Sequence, residues 1–350
     1  MSTPADLSPA DLARYSRQVR FDRIGEAGQA RLLRARVAIV GCGALGSVVA
    51  DQLARAGVGL LRLIDRDFIE LSNLQRQTLY DETDLADGLP KALAAARKLA
   101  RVNSSIQLDP RVGDVSAGTI ERLCGGCDVL LDATDNLETR YLLNDFAVAR
   151  GVPWVYGGCV AAEGVVLAVL PERGPCLRCT WPEPPVTASL PTCETAGVLG
   201  PAAAIVASLQ VIEALKILVG REDELAGLLA VDAWTGRLRQ FMVRSAGRSA
   251  DCPCCVGREF PFLSGQRGAA TTVLCGRNAV QVLPATDQSI DLAALASRLP
   301  RDASPRLSTH LLRFAAGELA VTVFPDGRAI VQGTSDPAVA RSTVARYVGA

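Results

Sequence analysis

Gly41, Gly43 and Gly46 form a G-x-G-x-x-G turn in RVAIVGCGALGS, between an apolar run and an amphipathic one. Glycines at that spacing allow a tight turn and let backbone amides at a helix start approach phosphate. Asp65 closes the next apolar run about twenty residues on, where a carboxylate can accept hydrogen bonds from ribose hydroxyls. These four residues describe an adenine-nucleotide turn and leave the nucleotide open. SNLQRQ then supplies Asn73, Arg76 and neighbouring amides, and Lys91 follows Pro90 at the start of an amphipathic segment, so two cations and a helix end could converge on phosphates. A pyrophosphate bridge does not need that much positive charge; a triphosphate does. Asp132 and Asp135 in LLDATDN fall at the end of a later strand-like run, where a doubly wound sheet binds ligands and a carboxylate could hold Mg2+. The single histidine, His310, lies far from these residues, which counts against a dehydrogenase with a histidine acid/base.

The eleven cysteines divide by spacing. Cys176 and Cys179 in CLRC, with Cys252 and Cys255 in CPCC, make two C-x-x-C knuckles far apart in sequence, the pattern by which tetrahedral Zn2+ clasps a loop to a distant turn. Cys254, inside the second knuckle, would need tighter spacing to replace Cys255 and is left out of the ligand set. Cys124 and Cys127 have the same spacing but sit where a helix runs out in glycines and a core strand begins, so they read as buried cysteines. Cys42, Cys159 and Cys275 read as small packing residues. Cys193, in a Thr- and Pro-rich loop just before an apolar helix, could be a nucleophile with thiolate character or an ordinary loop cysteine.

These residues need a frame. Apolar and amphipathic segments alternate from RVAIVG through LGSVVADQLARAG, LLRLID, PKALAAARKLARVN, IQLDPRV and AGTIERLCGG to DVLLDAT. That succession predicts an α/β fold, a Rossmann-like, doubly wound, largely parallel sheet with helices on both faces. After VPWVYGG the pattern shifts to GVVLAVLP, a mixed extension of the sheet, then a loop over 171–195, a helix over about 201–219, and two strands around the TG of LLAVDAWTGRLRQFMV. A Cys, Pro and Gly cluster marks a boundary near residue 265, giving one domain over 1–264 and a small α+β module over 265–350. Within that module, VTVFPDGRAIVQG reads as a hairpin.

Composition narrows the class. Thirty-seven basic residues balance thirty-seven acidic ones, so no overall field draws the chain to nucleic acid or to an anionic membrane, and any anion site must be local. The longest apolar stretch, AGVLGPAAAIVASLQVIEALKILVG, is broken by Gln210, Glu213 and Lys216 and reads as a buried helix. The first twenty residues carry charges throughout, so a cytoplasmic protein is expected, where reduced cysteines favour metal ligation or thiol chemistry over disulfides.

RYSRQVRFDRIGEAGQARLLRARVAIVGCGALGS, LIDRDFIELSNLQRQTLY, PKALAAARKLARVN, LLDATDNLETRYLLND, CLRC, TCETAGVLGP and CPCC, in that order, resemble the MoeB/ThiF/HesA adenylyltransferases, relatives of ubiquitin-activating enzymes. The likeness runs from about Ala13 to Gly257. It implies a homodimer that uses MgATP to adenylate the C-terminal glycine of a small ubiquitin-like sulfur carrier ending in Gly-Gly, in molybdopterin, thiamine or a related sulfur pathway. Pyrophosphate is released, and a cysteine desulfurase or another sulfur donor acts with the carrier. Carried over by motif, Asp65 binds ribose, Asn73, Arg76 and Lys91 the phosphates, and Asp135 the magnesium. Arg17, in RYSRQ, matches the arginine lent by the dimer partner. In the family, a cysteine at the position of Cys193 is conjugated to the carrier or accepts sulfur for it in some members and is dispensable in others. Ala44 stands where several relatives have glycine, a small change. The C-terminal module lacks a rhodanese-like cysteine loop. The alternative reading is a nucleotide-bound, non-catalytic scaffold that recruits carriers, against which Arg17, Arg76, Lys91 and Asp135 all stand.

Overall fold

Every second residue of the first strand faces the same way, and here both ways lead into core: Val37 and Ile39 are buried in one apolar cluster, Ala38 and Val40 in another. A strand apolar on both faces needs helices above and below, which the chain supplies. In the computed structural model, residues 7–185, 195–243, 247–267, 271–274, 278–284 and 289–348 are described. They fall in two compact units, 1–267 and 268–350.

The first unit opens with two helices, α1 (Pro9–Val19) and α2 (Gly25–Arg34). Ser8 starts α1 with a capping box, its side chain accepting from Asp11 N while the Asp11 carboxylate accepts from Ser8 N. Then follow β1 (Arg36–Val40), α3 (Ala44–Ala56), β2 (Leu60–Asp65), α4 (Glu82–Asp87), α5 (Lys91–Val102), β3 (Gln107–Val112), α6 (Ile120–Cys124), β4 (Val129–Asp132) and α7 (Leu137–Arg150). The extension comprises β5 (Trp154–Val160), β6 (Glu163–Val169), the short α8 (Leu177–Thr180), α9 (Gly200–Val219), β7 (Leu228–Asp232) and β8 (Arg237–Phe241).

The strands form one eight-stranded sheet in the order β3-β2-β1-β4-β5-β6-β7-β8. Pairing is parallel from β3 to β5 and antiparallel from β5 to β8, the mixed extension expected from the sequence. The order reverses between β1 and β4, whose registers align Val40 with Asp132. Their C-terminal ends therefore splay into the crevice where such sheets take ligands. Helices α3, α5 and α9 pack on one face, α6 and α7 on the other. Burying a leucine such as Leu53 in such a core contributes about 1.5–3 kcal/mol.

By length and composition α9 could cross a membrane, yet half of that apolar window is buried within the protein. Two polar side chains tie it there. Gln210 Nε2 donates to Asp132 O at 2.7 Å, and Glu213 accepts from Ala226 N at 2.9 Å while pairing with Lys216 at 2.6 Å.

The second unit is a six-stranded antiparallel sheet in the order β11-β12-β13-β14-β10-β9. Its elements are β9 (Thr271–Leu274), β10 (Ala279–Val282), α10 (Leu292–Arg298), β11 (Arg306–Leu307), β12 (Leu312–Ala316), β13 (Leu319–Val323), β14 (Ala329–Gln332) and α11 (Pro337–Tyr347). Leu292, Leu295, Ala340 and Val344 from its helices pack on Leu312, Phe314, Val321, Val323 and Val331 from its strands.

Candidate functional site

The glycine turn is closed by steric demand at two of its three positions. Gly41 has φ +94°, and a Cβ there would stand 2.5 Å from Ala133 O, at the end of β4; a Cβ on Gly46 would stand 1.9 Å from Gly41 O. Both must be glycine for β1, α3 and β4 to approach so closely. Gly43 is under no such demand, since a Cβ would meet only Gln77 Nε2, at 3.8 Å. It is the N-cap of α3 and offers no side-chain cap, so the first amides of the helix face the crevice with their partial positive charge.

Asp65 braces this turn from the end of β2. Its Oδ2 accepts from Cys42 N and its Oδ1 from Asp67 N, both at 2.6 Å. Burial raises its carboxyl above the ordinary value, while the Lys91 cation pulls it back. Lys91 is 3% exposed, and its Nζ lies 3.4 Å from Asp67 Oδ2 while its backbone N donates to Asp67 O at 2.9 Å. The helix start at Lys91, the strand end at Asp65 and the glycine turn are thus drawn together by one chain of contacts. Burial also pushes the Cys42 thiol well up, so this cysteine is an apolar filler beneath the turn.

The SNLQRQ segment reaches the same place. Asn73 is buried, its Oδ1 accepting from Glu70 N at 3.1 Å, and Arg76 Nη1 donates to Ser72 O at 2.7 Å. Gln77, whose backbone N donates to Asn73 O at 2.9 Å, lies beside Gly43 with its Oε1 buried and without a hydrogen-bond partner among the described residues. Nothing in the sequence singles out Gln77 beyond its place beside Arg76 in the motif; its burial and its orphaned oxygen exist only in three dimensions.

At the end of β4 the two aspartates part. Asp132 is fully buried, its Oδ1 accepting from Thr134 N at 2.9 Å and Thr134 Oγ1 at 2.7 Å, with Arg140 Nε 3.4 Å from Oδ2. Burial pushes its carboxyl up, against the pull of Arg140. Asp135 is exposed, with no hydrogen bond or ion pair among the described residues, and its charge reaches Arg66 across the crevice. Of the two, Asp135 has the uncommitted oxygens.

Arg17 is elsewhere. It is exposed in the last turn of α1, which docks at the far end of α3: the Tyr15 ring sits on Gly57, and Gln18 Nε2 donates to Ala56 O at 2.9 Å. The thirteen residues of α3 separate that socket from the glycine turn by about 20 Å.

A second constellation joins the two knuckles. The sulfurs of Cys176, Cys179, Cys252 and Cys255 all lie within 4.8 Å of one another. Cys176 to Cys252 is 3.6 Å, Cys179 to Cys255 3.4 Å and Cys176 to Cys179 3.9 Å. Four thiolates about 2.3 Å from a tetrahedral zinc would stand about 3.8 Å apart, so the cluster fits that ion. Cys124 and Cys127 are buried in the core beside Arg62, and burial pushes Cys124 up to about 12. Cys159 is buried too. Cys193 and Cys275 lie outside the described residues, and His310 is half-buried between β11 and β12.

A family model described as the ThiF family matches residues 15–254. The chain belongs to the ThiF family. A Bacillus subtilis protein, "Sulfur carrier protein ThiS adenylyltransferase", is 42% identical over 338 residues, 96% of this chain and 99% of its own length. A Thermus thermophilus "Sulfur carrier protein adenylyltransferase" is 40% identical over 251 residues, 70% of this ThiF-family chain and 91% of its own. Among solved structures, E. coli MccB superposes with a TM-score of 0.60 at 24% identity, covering 69% of this chain and 72% of that one, a likeness of fold.

Proposed function

We propose that this chain adenylates the C-terminal glycine of a small ubiquitin-like sulfur carrier of the ThiS kind, using MgATP. What supports the reading is the crevice between β1 and β4: the uncapped start of α3 lies there, Asp65 and Asp67 link it to Lys91, Gln77 of the Arg76 loop comes beside Gly43, and Asp135 follows the end of β4 with an exposed carboxylate. The similar B. subtilis protein is named for ThiS and spans the second unit as well, whereas the T. thermophilus relative covers 70% of the chain.

In the reaction, a carboxylate oxygen of the carrier's terminal glycine bonds to the α-phosphorus of ATP, the bond from that phosphorus to the bridging oxygen breaks, and pyrophosphate leaves. The nucleophile is already ionised at neutral pH, so no side chain has to take a proton. The work of the site is positioning and neutralisation of charge. Asp65 fixes the turn and would meet ribose, the α3 amides with Asn73, Arg76 and Lys91 would meet phosphates, and Asp135 would hold Mg2+. When bound, that ion offsets negative charge on the phosphates. Cys176, Cys179, Cys252 and Cys255 would hold Zn2+, which would tie α8 and its N-cap to the turn after β8.

Arg17 would serve the triphosphate of a second copy in a homodimer, because its own site is the length of α3 away. The exposed Ile205 and Ile212, seven residues apart on α9, give such a dimer an apolar stripe. Cys193 would act, if at all, after the adenylate forms, together with a cysteine desulfurase or another sulfur donor. A cytoplasmic location suits this chemistry. The test is ATP–pyrophosphate exchange by the purified chain with a ThiS-type carrier ending in Gly-Gly. Exchange that needs the carrier and its terminal glycine supports the reading; ATP bound without carrier-dependent exchange favours the scaffold.

A further inference from the structure

Asn144 and Asp145 stand side by side in the middle of α7, both fully buried, and the reading above gives neither of them work. Both types are poor helix formers, and a buried amide and carboxylate must find partners. Theirs are in the two cysteine loops. Asn144 Oδ1 accepts from Leu177 N at 2.9 Å, inside the first knuckle, and its Nδ2 donates to Cys254 Sγ at 3.2 Å, inside the second. The orientation is dictated: a backbone N–H only donates, so the amide oxygen must face Leu177 and the NH2 must face sulfur. Asp145 Oδ2 accepts from Phe262 N at 3.0 Å, just beyond the second knuckle. Its Oδ1 accepts from the Cys254 thiol at 3.5 Å and lies 3.8 Å from Arg178 Nη1, which belongs to the first knuckle. Arg258 completes the seat, donating to Val148 O at 3.0 Å and so tying the second loop to the end of α7.

Five thiols crowd this region, and a tetrahedral ion takes four. Cys254, fully buried, touches the Cys176 thiol but lies outside the group of four sulfurs that are all mutually close, and it is the one whose sulfur is engaged by both Asn144 and Asp145 of α7. We propose that Asn144 and Asp145 are positioning residues for the metal: one amide spans both knuckles and sets their spacing, and the pair holds the Cys254 sulfur out of the coordination set. The inference rests on the zinc reading. It adds that affinity for the ion is built from a helix that contributes no ligand, as hydrogen bonds behind ligands commonly do.

The test uses the full chain, with zinc counted by elemental analysis and zinc affinity measured by competition with a chromophoric chelator. The parent should hold one zinc. Asn144→Leu keeps the branched shape, though not the volume, and loses both hydrogen bonds; its zinc affinity should fall about tenfold or more. Asn144→Asp keeps an acceptor for Leu177 N and loses the donor to Cys254, so it should fall between the two. Cys254→Ala, which spares Asn144, should still hold one zinc. Parent-like affinity in Asn144→Leu, or in Asn144→Asp should the first variant not fold, overturns the clamp while leaving the zinc reading standing. Loss of zinc from Cys254→Ala makes Cys254 a ligand and overturns it as well. A zinc-free parent overturns the zinc reading and the clamp together.

Discussion

Lys91 Nζ stands 3.4 Å from Asp67 Oδ2, a nearly buried cation held at the strand-end crevice by a carboxylate that is not the one expected to bind ribose. The pair keeps a positive charge aimed at the turn before any phosphate arrives. Lys91→Met should therefore lower carrier-dependent exchange by about 100- to 1,000-fold. It should also lower stability by about 1 kcal/mol, because Asp67 would lose one cation and keep Arg66, whose Nε lies 3.8 Å from Oδ1. Asp135→Ala, at an exposed position, should abolish exchange almost as fully with an unchanged melting temperature. Normal exchange in folded Asp135→Ala or Arg76→Ala would remove those residues from the site.

Arg17 sits at the wrong end of α3 for its own crevice, which makes its role testable by mixing. Arg17→Ala and Asp135→Ala should each be inactive alone. Mixed in equal amounts and allowed to exchange subunits, they should recover about a quarter of the parent activity, because half the dimers are mixed and each mixed dimer has one intact site. No recovery in proven mixed dimers would mean that Arg17 serves no neighbouring site.

The cysteine cluster predicts a metal count. Cys176→Ser should lose the zinc and melt at a lower temperature, and chelation of the parent should reproduce that fall. Cys124→Ser should keep the ion. The opposite pattern would assign the metal to the wrong pair.

Adenylation needs no thiol, so Cys193→Ala should exchange pyrophosphate at close to the parent rate. If the residue is a nucleophile, intact-mass measurement of the parent with carrier, MgATP and a sulfur donor should show a thiol-labile adduct that the variant lacks. Thiocarboxylate formation at the parent rate in the variant would make the cysteine structural.

Asp81 makes a small contribution to stability that acid removes. As N-cap of α4 it accepts from Thr83 N at 2.9 Å and pairs with Lys98, and that pairing first, then the Asp84 amide, holds its carboxyl down to about 2. A carboxyl with a lowered folded value stabilises the fold above its ordinary value near 3.8 and loses that contribution as pH falls toward 2. Denaturation curves across that window should show a step that Asp81→Asn removes.

Much of the frame was readable because β1, β2 and β4 are short apolar runs separated by amphipathic helices of ordinary length, and Gly41, Gly46 and Asp65 mark a place where the chain must turn tightly. The four clustered cysteines were readable from C-x-x-C spacing together with context, since Cys124 and Cys127 share the spacing but sit between a helix end and a core strand. Gln77 and the pair Asn144 and Asp145 were not, because an uncharged amide or a mid-helix polar pair carries no periodic signal. Asn144 meets Cys254 across 110 residues of sequence, a contact that only the packed fold defines. The antiparallel order of the second unit was hidden for the same reason, its strands being joined by turns that fit several pairings.

The socket at the end of α3 also bears on how such a gene could diverge. A Cβ at Gly57 would stand 2.5 Å from the Tyr15 ring and so unseat α1 while leaving the glycine turn, 13 helical residues away, intact. If Arg17 is lent to a second copy as proposed, giving and receiving it would be separable by single substitutions at opposite ends of one helix. After a duplication, one copy could decay at its turn and the other at its socket, and the pair would still possess one whole site. Selection would then maintain an obligate partnership of two unlike descendants from what began as two identical chains.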